Sequence, residues 1–160
     1  MRYFLAAASL GLSSWPAEGA AWRLAATGHL DEAGNSYAAT FVDTATIERE
    51  GDVVRFRTFI VWEENISSAD NSRSLTSADC RDRGFQDLQL AYYKGNRLVD
   101  GGTPNLRGTA VWESAFYRTI EAVCGRRAWL TKAVKDPYGW AKSAFGKLHT
   151  GGYWPLHIGP

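Results

Sequence analysis

The chain has little cysteine, little methionine and little net charge, and it has no long apolar run. It contains 160 residues with two cysteines, one methionine and a net charge of +1. A membrane-spanning helix needs about 18 uninterrupted apolar residues, so none is expected. Nucleic-acid binding needs a clearly basic protein face, and this charge balance argues against it. The composition, 45% hydrophobic and 22% charged, suits one globular domain.

Motifs for the common enzyme classes are missing as well. There is no Gly-x-Ser-x-Gly elbow, no P-loop and no dinucleotide fingerprint. The three histidines, His29, His149 and His157, are too far apart in sequence for a paired zinc motif. These absences predict a non-catalytic protein without a metal or a cofactor.

Three carboxylates, Glu63, Glu64 and Asp70, lie in a polar stretch between residues 63 and 72. Its Asn, Ser and Asp residues predict a long exposed loop. The alternative is a small periplasmic hydrolase whose acids converge only in three dimensions.

The N-terminus has the pattern of an export signal. A positive charge at Arg2 precedes the apolar run 4–12, and small residues follow Pro16. This pattern predicts a signal peptide over residues 1–20, cleaved before Trp22. No cysteine stands at the cleavage site to receive a lipid, so we expect a periplasmic or extracellular protein.

In an oxidising compartment, the lone pair Cys80 and Cys124 predicts one disulfide. The alternative, a catalytic thiol, requires a neighbouring base and no cysteine partner.

Residues 22–112 alternate between apolar and polar side chains, with turn signals at short intervals. This pattern predicts five or six antiparallel strands. Residues 53–62 form the clearest strand. One face of this strand is expected to belong to the core. Arg55 and Arg57 lie on the other face, together with Phe59 and Val61. The side chains of the expected core face are Val54, Phe56, Ile60 and Trp62. Residues 43–47 predict a turn in which Asp43 accepts from nearby backbone N–H groups.

After Trp112 the period becomes helical. Ser114 is the expected N-cap, apolar residues recur at helical spacing as far as Cys124, and Gly125 ends the helix. The predicted fold class is therefore α+β, an antiparallel sheet with a helix packed on one face and one disulfide.

Several short motifs follow one another in a fixed order between residues 22 and 125. They are Phe41-Val42-Asp43, Ile47-Glu48-Arg49 before Gly51, Asp79-Cys80 with Arg81 and Arg83, then Trp112, Ser114 and Val123-Cys124. This succession resembles the surface-adhesin protein E family.

The resemblance implies an antiparallel sheet with a C-terminal helix. It also implies a bacterial surface protein that binds host matrix or plasma proteins, with dimerisation as a possible property. The chain differs from the lipoprotein member of the family in lacking a lipid-accepting cysteine. It also continues well beyond Cys124.

Residues 126–160 form a basic, aromatic extension. They carry six basic residues and one aspartate, a net charge of +5, while residues 21–125 carry −4. Cations interleaved with aromatic rings suit an anionic surface such as lipid headgroups or lipopolysaccharide phosphates. The expected binding residues are Arg126, Arg127, Lys132, Lys135, Trp129 and Trp140.

Two other arrangements of this extension remain open. It can fold back onto its own acidic domain, with Trp129, Trp140 and Trp154 on the uncovered sheet face, or it can dock on another envelope subunit. Pro137 and Gly151-Gly152 exclude one continuous helix. Short helical pieces are expected over 128–135 and 139–148.

Overall fold

The computed structural model describes residues 20–29, 36–66, 68–104 and 106–152, apart from the side chain of Asn65. Nearly all of the predicted signal peptide lies outside the described residues. Trp154 and His157 lie outside them too.

An antiparallel sheet dominates the described part of the chain. Neighbouring strands in the sheet follow chain order from β1 to β6, and a short β7 also pairs with β5. The strands are β1 Trp22–His29, β2 Tyr37–Glu50, β3 Val53–Ile66, β4 Ala69–Asp79, β5 Gly84–Lys94, β6 Arg97–Gly102 and β7 Arg107–Thr109. Two helices follow, α1 Ala115–Val123 and α2 Pro137–His149. The predicted fold class is confirmed, with β7 as an additional short strand.

Helix α1 packs on the sheet face that the sequence predicts as core. Val54 and Phe56 of β3 are buried with Ile120 and Val123 of α1. The helix begins where Ser114 Oγ accepts from the backbone N–H of Tyr117 at 3.0 Å. Both the helix and its N-cap agree with the prediction.

The disulfide Cys80–Cys124 joins the end of β4 to the end of α1, with an S–S distance of 2.02 Å. The predicted pairing is confirmed. Gly125 follows with a φ of +74°, a conformation in which glycine avoids the Cβ strain of other residues.

The opposite sheet face also carries a core, so the prediction of a single core face is wrong. Phe59 and Val61 lie on the face of β3 opposite to that of Val54 and Phe56. They are buried against Ala141 and Phe145 of α2. The sequence of β3 groups these residues correctly. Burial of the second face depends on α2, which belongs to the C-terminal extension.

The predicted exposed loop over residues 63–72 is also wrong. Strand β3 continues to Ile66 and β4 starts at Ala69, and Asp70, Asn71 and Ser72 are buried. Their polar groups find partners in neighbouring elements, which composition alone does not reveal.

The predicted turn over residues 43–47 lies inside β2, where the register with β3 shifts between Asp43 and Glu48. Asp43 Oδ1 still accepts from the N–H of Ala45, two residues on, at 3.1 Å. The predicted hydrogen bonding is therefore present within a strand irregularity.

Within the described residues, the C-terminal extension folds back on the domain. A helix does form at 137–149, close to the predicted piece over 139–148. Residues 128–135 form no helix and instead run beside β1, where Trp22 and Val134 form an isolated bridge. Backbone hydrogen bonds to the strand edge replace those that a helix would make.

Candidate functional site

The two edges of the sheet differ in how their backbone groups are used. At the β1 edge, Leu130 N–H donates to Leu24 O at 2.8 Å and Val134 N–H donates to Trp22 O at 2.7 Å. Leu24 N–H in turn donates to Thr131 Oγ1 at 3.1 Å. The extension therefore occupies backbone groups that would otherwise be available to another chain.

In the part of the chain that the structure describes, the opposite edge, formed by β6 and β7, is open. Both strands pair with β5, and the N–H of Asp87 donates to Leu106 O between the two paired stretches at 3.0 Å. Every residue of β6 and β7 is exposed. Within the described ranges, no strand pairs with the outer side of β6. We call residues 97–104 and 106–112 the open-edge surface.

Exposed apolar side chains concentrate on the open-edge surface. Among the described residues, seven large hydrophobic side chains are exposed, and five of them lie between residues 97 and 112. The most exposed are Val111 at 75% and Trp112 at 73%. The five are Leu98, Val99, Leu106, Val111 and Trp112. These side chains form a row along the edge, from Leu98 opposite Tyr93 to Val111 beyond Gly84, rather than one contiguous patch.

Two neighbouring depressions flank β6. One, of about 280 Å³, is lined by Ile66, Ala69, Tyr92, Val99 and Asp100. The other, of about 250 Å³, shares Tyr92 and Asp100 and extends along β6 through Gly102 to Pro104. The Tyr92 ring stacks on Trp62 with a centroid distance of 6.1 Å, so the wall between the depressions is supported from the core.

Glycines shape the second depression. A Cβ on Gly101 would lie 3.0 Å from Ala91 Cβ, so the strands approach too closely there for a side chain. A Cβ on Gly102 would meet no atom within 4 Å. Gly102 therefore leaves open space that a substituted side chain would fill.

The carboxylates of the supposed loop hold α2 on the sheet. Asp70 accepts from the Tyr138 hydroxyl at 2.9 Å and from the Gly95 N–H at 2.9 Å, and it lies 3.5 Å from Lys94 Nζ. Burial alone would raise the pKa of the Asp70 carboxyl, but hydrogen bonds from Gly95, Asn71 and Tyr138 hold it below its usual value.

Glu63 and Lys142 make a second set of contacts between α2 and β3. The Glu63 carboxylate accepts from the Tyr37 N–H at 3.1 Å and contacts His149, at the end of α2. Lys142 Nζ donates to the backbone carbonyls of Trp62 and Glu63. Burial lowers the pKa of Lys142. The nearby carboxylates of Asp70 and Glu63 partly oppose this shift because they favour the charged ammonium group. These contacts position an element of the fold and provide no paired acids in a cleft.

A row of hydroxyl groups crosses three strands and ends at a buried carboxylate. Thr58 Oγ1 lies 2.6 Å from Ser74 Oγ, which lies 3.1 Å from Thr76 Oγ1, and Thr76 donates to Asp87 Oδ1 at 2.6 Å. Burial raises the pKa of the Asp87 carboxyl, although the hydrogen bond from Thr76 opposes this shift. Sequence reasoning missed this row. The sequence signal for this row was the alternation that places Ser72, Ser74 and Thr76 on one face of the strand.

The structure does not gather the six predicted binding residues into one patch. Arg126 lies 3.6 Å from Glu121, and Arg127 lies 3.1 Å from Glu113, so both pair with acids of the same domain. The remaining cations, Lys132 and Lys135, are exposed.

The two predicted tryptophans pack on opposite sides of the sheet. Trp129 packs against the α1 core, and Trp140 meets Phe41 edge-on, with ring centroids 5.6 Å apart. Trp140 thus lies on the sheet face assigned to it by the fold-back alternative, whereas Trp129 does not.

Two further properties bear on the site. In the described ranges, no group of three or more His, Cys, Asp or Glu side chains is arranged to hold a metal ion. No helix of the described residues has the length and apolar character to span a bilayer.

Comparison with known proteins gives one match. The family model described as Surface-adhesin protein E matches residues 28–125. The chain matches no curated protein and no solved structure. The matched range contains the open-edge surface and the disulfide and ends before α2.

Proposed function

Because the chain belongs to the surface-adhesin protein E family, we propose that it is an exported, non-catalytic binding module that holds a protein partner on its open-edge surface. The observation that carries this proposal is the row of exposed apolar side chains along the open edge between residues 97 and 112. The family description supports a binding role at a cell surface. The roles of Glu63 and Asp70 in attaching α2 favour binding over catalysis.

Backbone hydrogen bonds hold both ends of the connection that carries Val111 and Trp112. The N–H of Ala110 donates to Arg83 O at 3.1 Å, and the N–H of Ser114 donates to Val111 O at 3.0 Å. The Trp112 ring lies 4.8 Å from the Tyr117 ring. Trp112 is 73% exposed, and a tryptophan presented in this way suits an energetically dominant contact residue.

Two valines of equal exposure provide a matched test. Val99 on the open-edge surface and Val53 at the start of β3 are both 37% exposed. We expect Val99→Ser and Trp112→Ala to weaken binding to immobilised basement-membrane extract or plasma proteins about tenfold or more, as for central contact residues. Val53→Ser should bind like the unmodified chain. Equal binding by all the variants would refute the proposal.

A second candidate function is contact with an anionic envelope component through the extension. Its support is the exposure of Lys132 and Lys135 beside the covered β1 edge. Both can approach lipid headgroups without breaking the ion pairs of Arg126 and Arg127. Lys132→Glu with Lys135→Glu should weaken sedimentation with anionic liposomes, most clearly at low salt. Unchanged sedimentation would exclude this candidate.

A further inference from the structure

We propose that the partner binds as an added β-strand along the outer edge of β6, through an extended segment that carries apolar and basic side chains. This inference rests on the proposed function and specifies its binding mode. Its basis is the combination of an open strand edge, two depressions beside that edge and an exposed carboxylate between them.

The backbone of β6 has hydrogen-bonding groups that point away from the sheet. Lys94 and Arg97 are paired across the two-residue turn Gly95-Asn96, in which Gly95 has a φ of +58°. In such a turn the N–H of the fourth residue bonds inward to the first residue. By alternation, the N–H and C=O of Leu98 point outward.

An irregularity in the pairing of β5 with β6 changes which residue of β6 is the next to point its backbone groups outward. The register changes between Tyr92 and Tyr93, so that Leu98 pairs with Tyr93 but Asp100 pairs with Tyr92. The extra residue is Val99. Gly101, opposite Ala91, is then the next residue whose backbone groups face outward. The Gly101 N–H already donates to Asp100 Oδ1, so an incoming strand can bond to the N–H and C=O of Leu98 and to the C=O of Gly101.

The depressions suit alternate side chains of such a strand. Residues two apart on a strand lie on one face about 7 Å from each other. The depression between Ile66 and Val99 has about 280 Å³, which is ample for one aliphatic or aromatic side chain. Strand addition uses main-chain bonds for affinity and pockets of this kind for specificity.

The charge at the centre of β6 favours a basic side chain in the partner. Asp100 is exposed between the two depressions, and its Oδ1 accepts from the N–H of Gly101 at 2.8 Å, which orients the carboxylate. The edge also carries Arg97 and Arg107, so the attraction is confined to the position of Asp100. A lysine or arginine of the partner placed beside Asp100 is therefore attracted to it.

The first test selects peptides without prior choice of sequence. Nine-residue random peptides displayed on phage are selected on the full chain and counter-selected on Leu98→Pro. Proline removes the outward N–H and is tolerated at a sheet edge. We expect peptides that alternate apolar residues with Lys or Arg and lack proline. The absence of such a pattern would refute the proposal.

Matched variants then separate backbone pairing from side-chain contact. For a selected peptide measured by fluorescence anisotropy, Leu98→Pro should lose binding about tenfold or more, whereas Leu98→Ala, which keeps the N–H, should lose much less. Circular dichroism and thermal unfolding check that both variants are folded. Equal losses in the two variants would point to side-chain contact and overturn strand addition.

Hydrogen exchange provides a test that needs no variant. Binding of the peptide should slow exchange of the Leu98 amide about tenfold or more, because an added-strand bond protects it. The Arg97 amide already bonds inward and should change little. Unchanged exchange at Leu98 in a saturated complex would overturn the proposal.

Two substitutions test the chemistry of the segment. Asp100→Asn keeps the acceptor for Gly101 and should remove the preference for basic peptides together with part of the salt dependence. Gly102→Val should fill the second depression and weaken binding several-fold without clashing with the sheet. If neither variant changes affinity, the peptide does not bind here.

The outcomes distinguish this inference from the proposed function. If protein binding is lost in Trp112→Ala but retained in Leu98→Pro, the open-edge surface binds a partner without strand addition. If neither loses protein binding, both proposals fail. A concentration-dependent dimer of the unmodified chain that Leu98→Pro abolishes in sedimentation experiments would show that a second copy occupies the edge, which overturns the present inference.

Discussion

The Tyr138 hydroxyl donates to Asp70 Oδ2 over 2.9 Å and thereby joins α2 to β4. Asp70 lies within the range matched by the family model, whereas Tyr138 lies after it. The extension is therefore attached to the family domain by a polar contact as well as by apolar packing. Trp129 and Trp140, together with Arg126 and Arg127, already contact the domain.

Replacing Tyr138 by Phe removes this hydrogen bond and leaves Asp70 its bonds from Gly95 and Asn71. We expect a loss of about 1 to 2 kcal/mol in the free energy of unfolding, measured by chemical denaturation. Tyr92→Phe is the control, because no hydrogen bond of the Tyr92 hydroxyl occurs in the described part of the chain. A loss in both variants would argue against a specific role for the Asp70 contact.

Phe145 tests whether the extension belongs to the core. Its side chain is buried with Phe41 and Phe59 on the sheet face opposite α1. Phe145→Ala should cost about 3 to 5 kcal/mol. Gly146→Ala, next to it on the exposed side of α2, should stabilise the protein by about 0.5 to 1 kcal/mol. If Phe145→Ala unfolds at the same denaturant concentration as the unmodified chain, α2 is not part of the cooperative unit.

Asp87 predicts a pH-dependent effect. Because burial raises the pKa of its carboxyl above the ordinary 3.8, the folded state binds the proton more tightly than the unfolded state. The stability of the unmodified chain therefore falls as pH rises from about 4 through the folded pKa. Asp87→Asn keeps an acceptor for Thr76 and should unfold at a higher temperature at neutral pH.

The control is to compare the unfolding temperatures of Asp87→Asn and the unmodified chain at low pH. Below the ordinary aspartate pKa the carboxyl is protonated in both states, so the advantage of Asp87→Asn should shrink towards zero. A variant that is less stable than the unmodified chain at every pH would contradict the assigned direction.

The disulfide closes a loop between residues 44 positions apart. Replacing both Cys80 and Cys124 by Ser should lower stability by about 4 kcal/mol, because the unfolded chain regains the entropy of the open loop. Chemical denaturation with and without a reductant checks this value. The reductant should destabilise the unmodified chain and leave the double variant unchanged, and a reductant effect on both would point to another cause.

Local patterns predicted the helix and most of the strands well. Ser114 and Gly125 are the ends of an amphipathic helix, and the alternation in β3 groups Val54 and Phe56 correctly on one face. These features depend on side chains a few residues apart, so the sequence is sufficient to find them. The Cys80–Cys124 pairing followed from there being only two cysteines.

Polar residues were harder to interpret. Asp70 and Glu63 have the composition of a loop, but they are satisfied by Gly95, Tyr138 and Tyr37, which lie 25 or more positions away. The open-edge surface was likewise missed, because Leu98 and Val99 resemble any apolar pair of a buried strand. Only the sheet order shows that, among the described strands, none lies on the outer side of β6.

The amino-acid sequence by itself determined the local elements, the disulfide and the family, because each depends on residue types at short spacing or in a fixed order. Tertiary structure alone decided that the extension covers one sheet edge and one sheet face, while no other described segment covers the edge at Leu98. The physical reason is that exposure of a backbone group depends on which distant segment bonds to it, and such pairing has no local pattern.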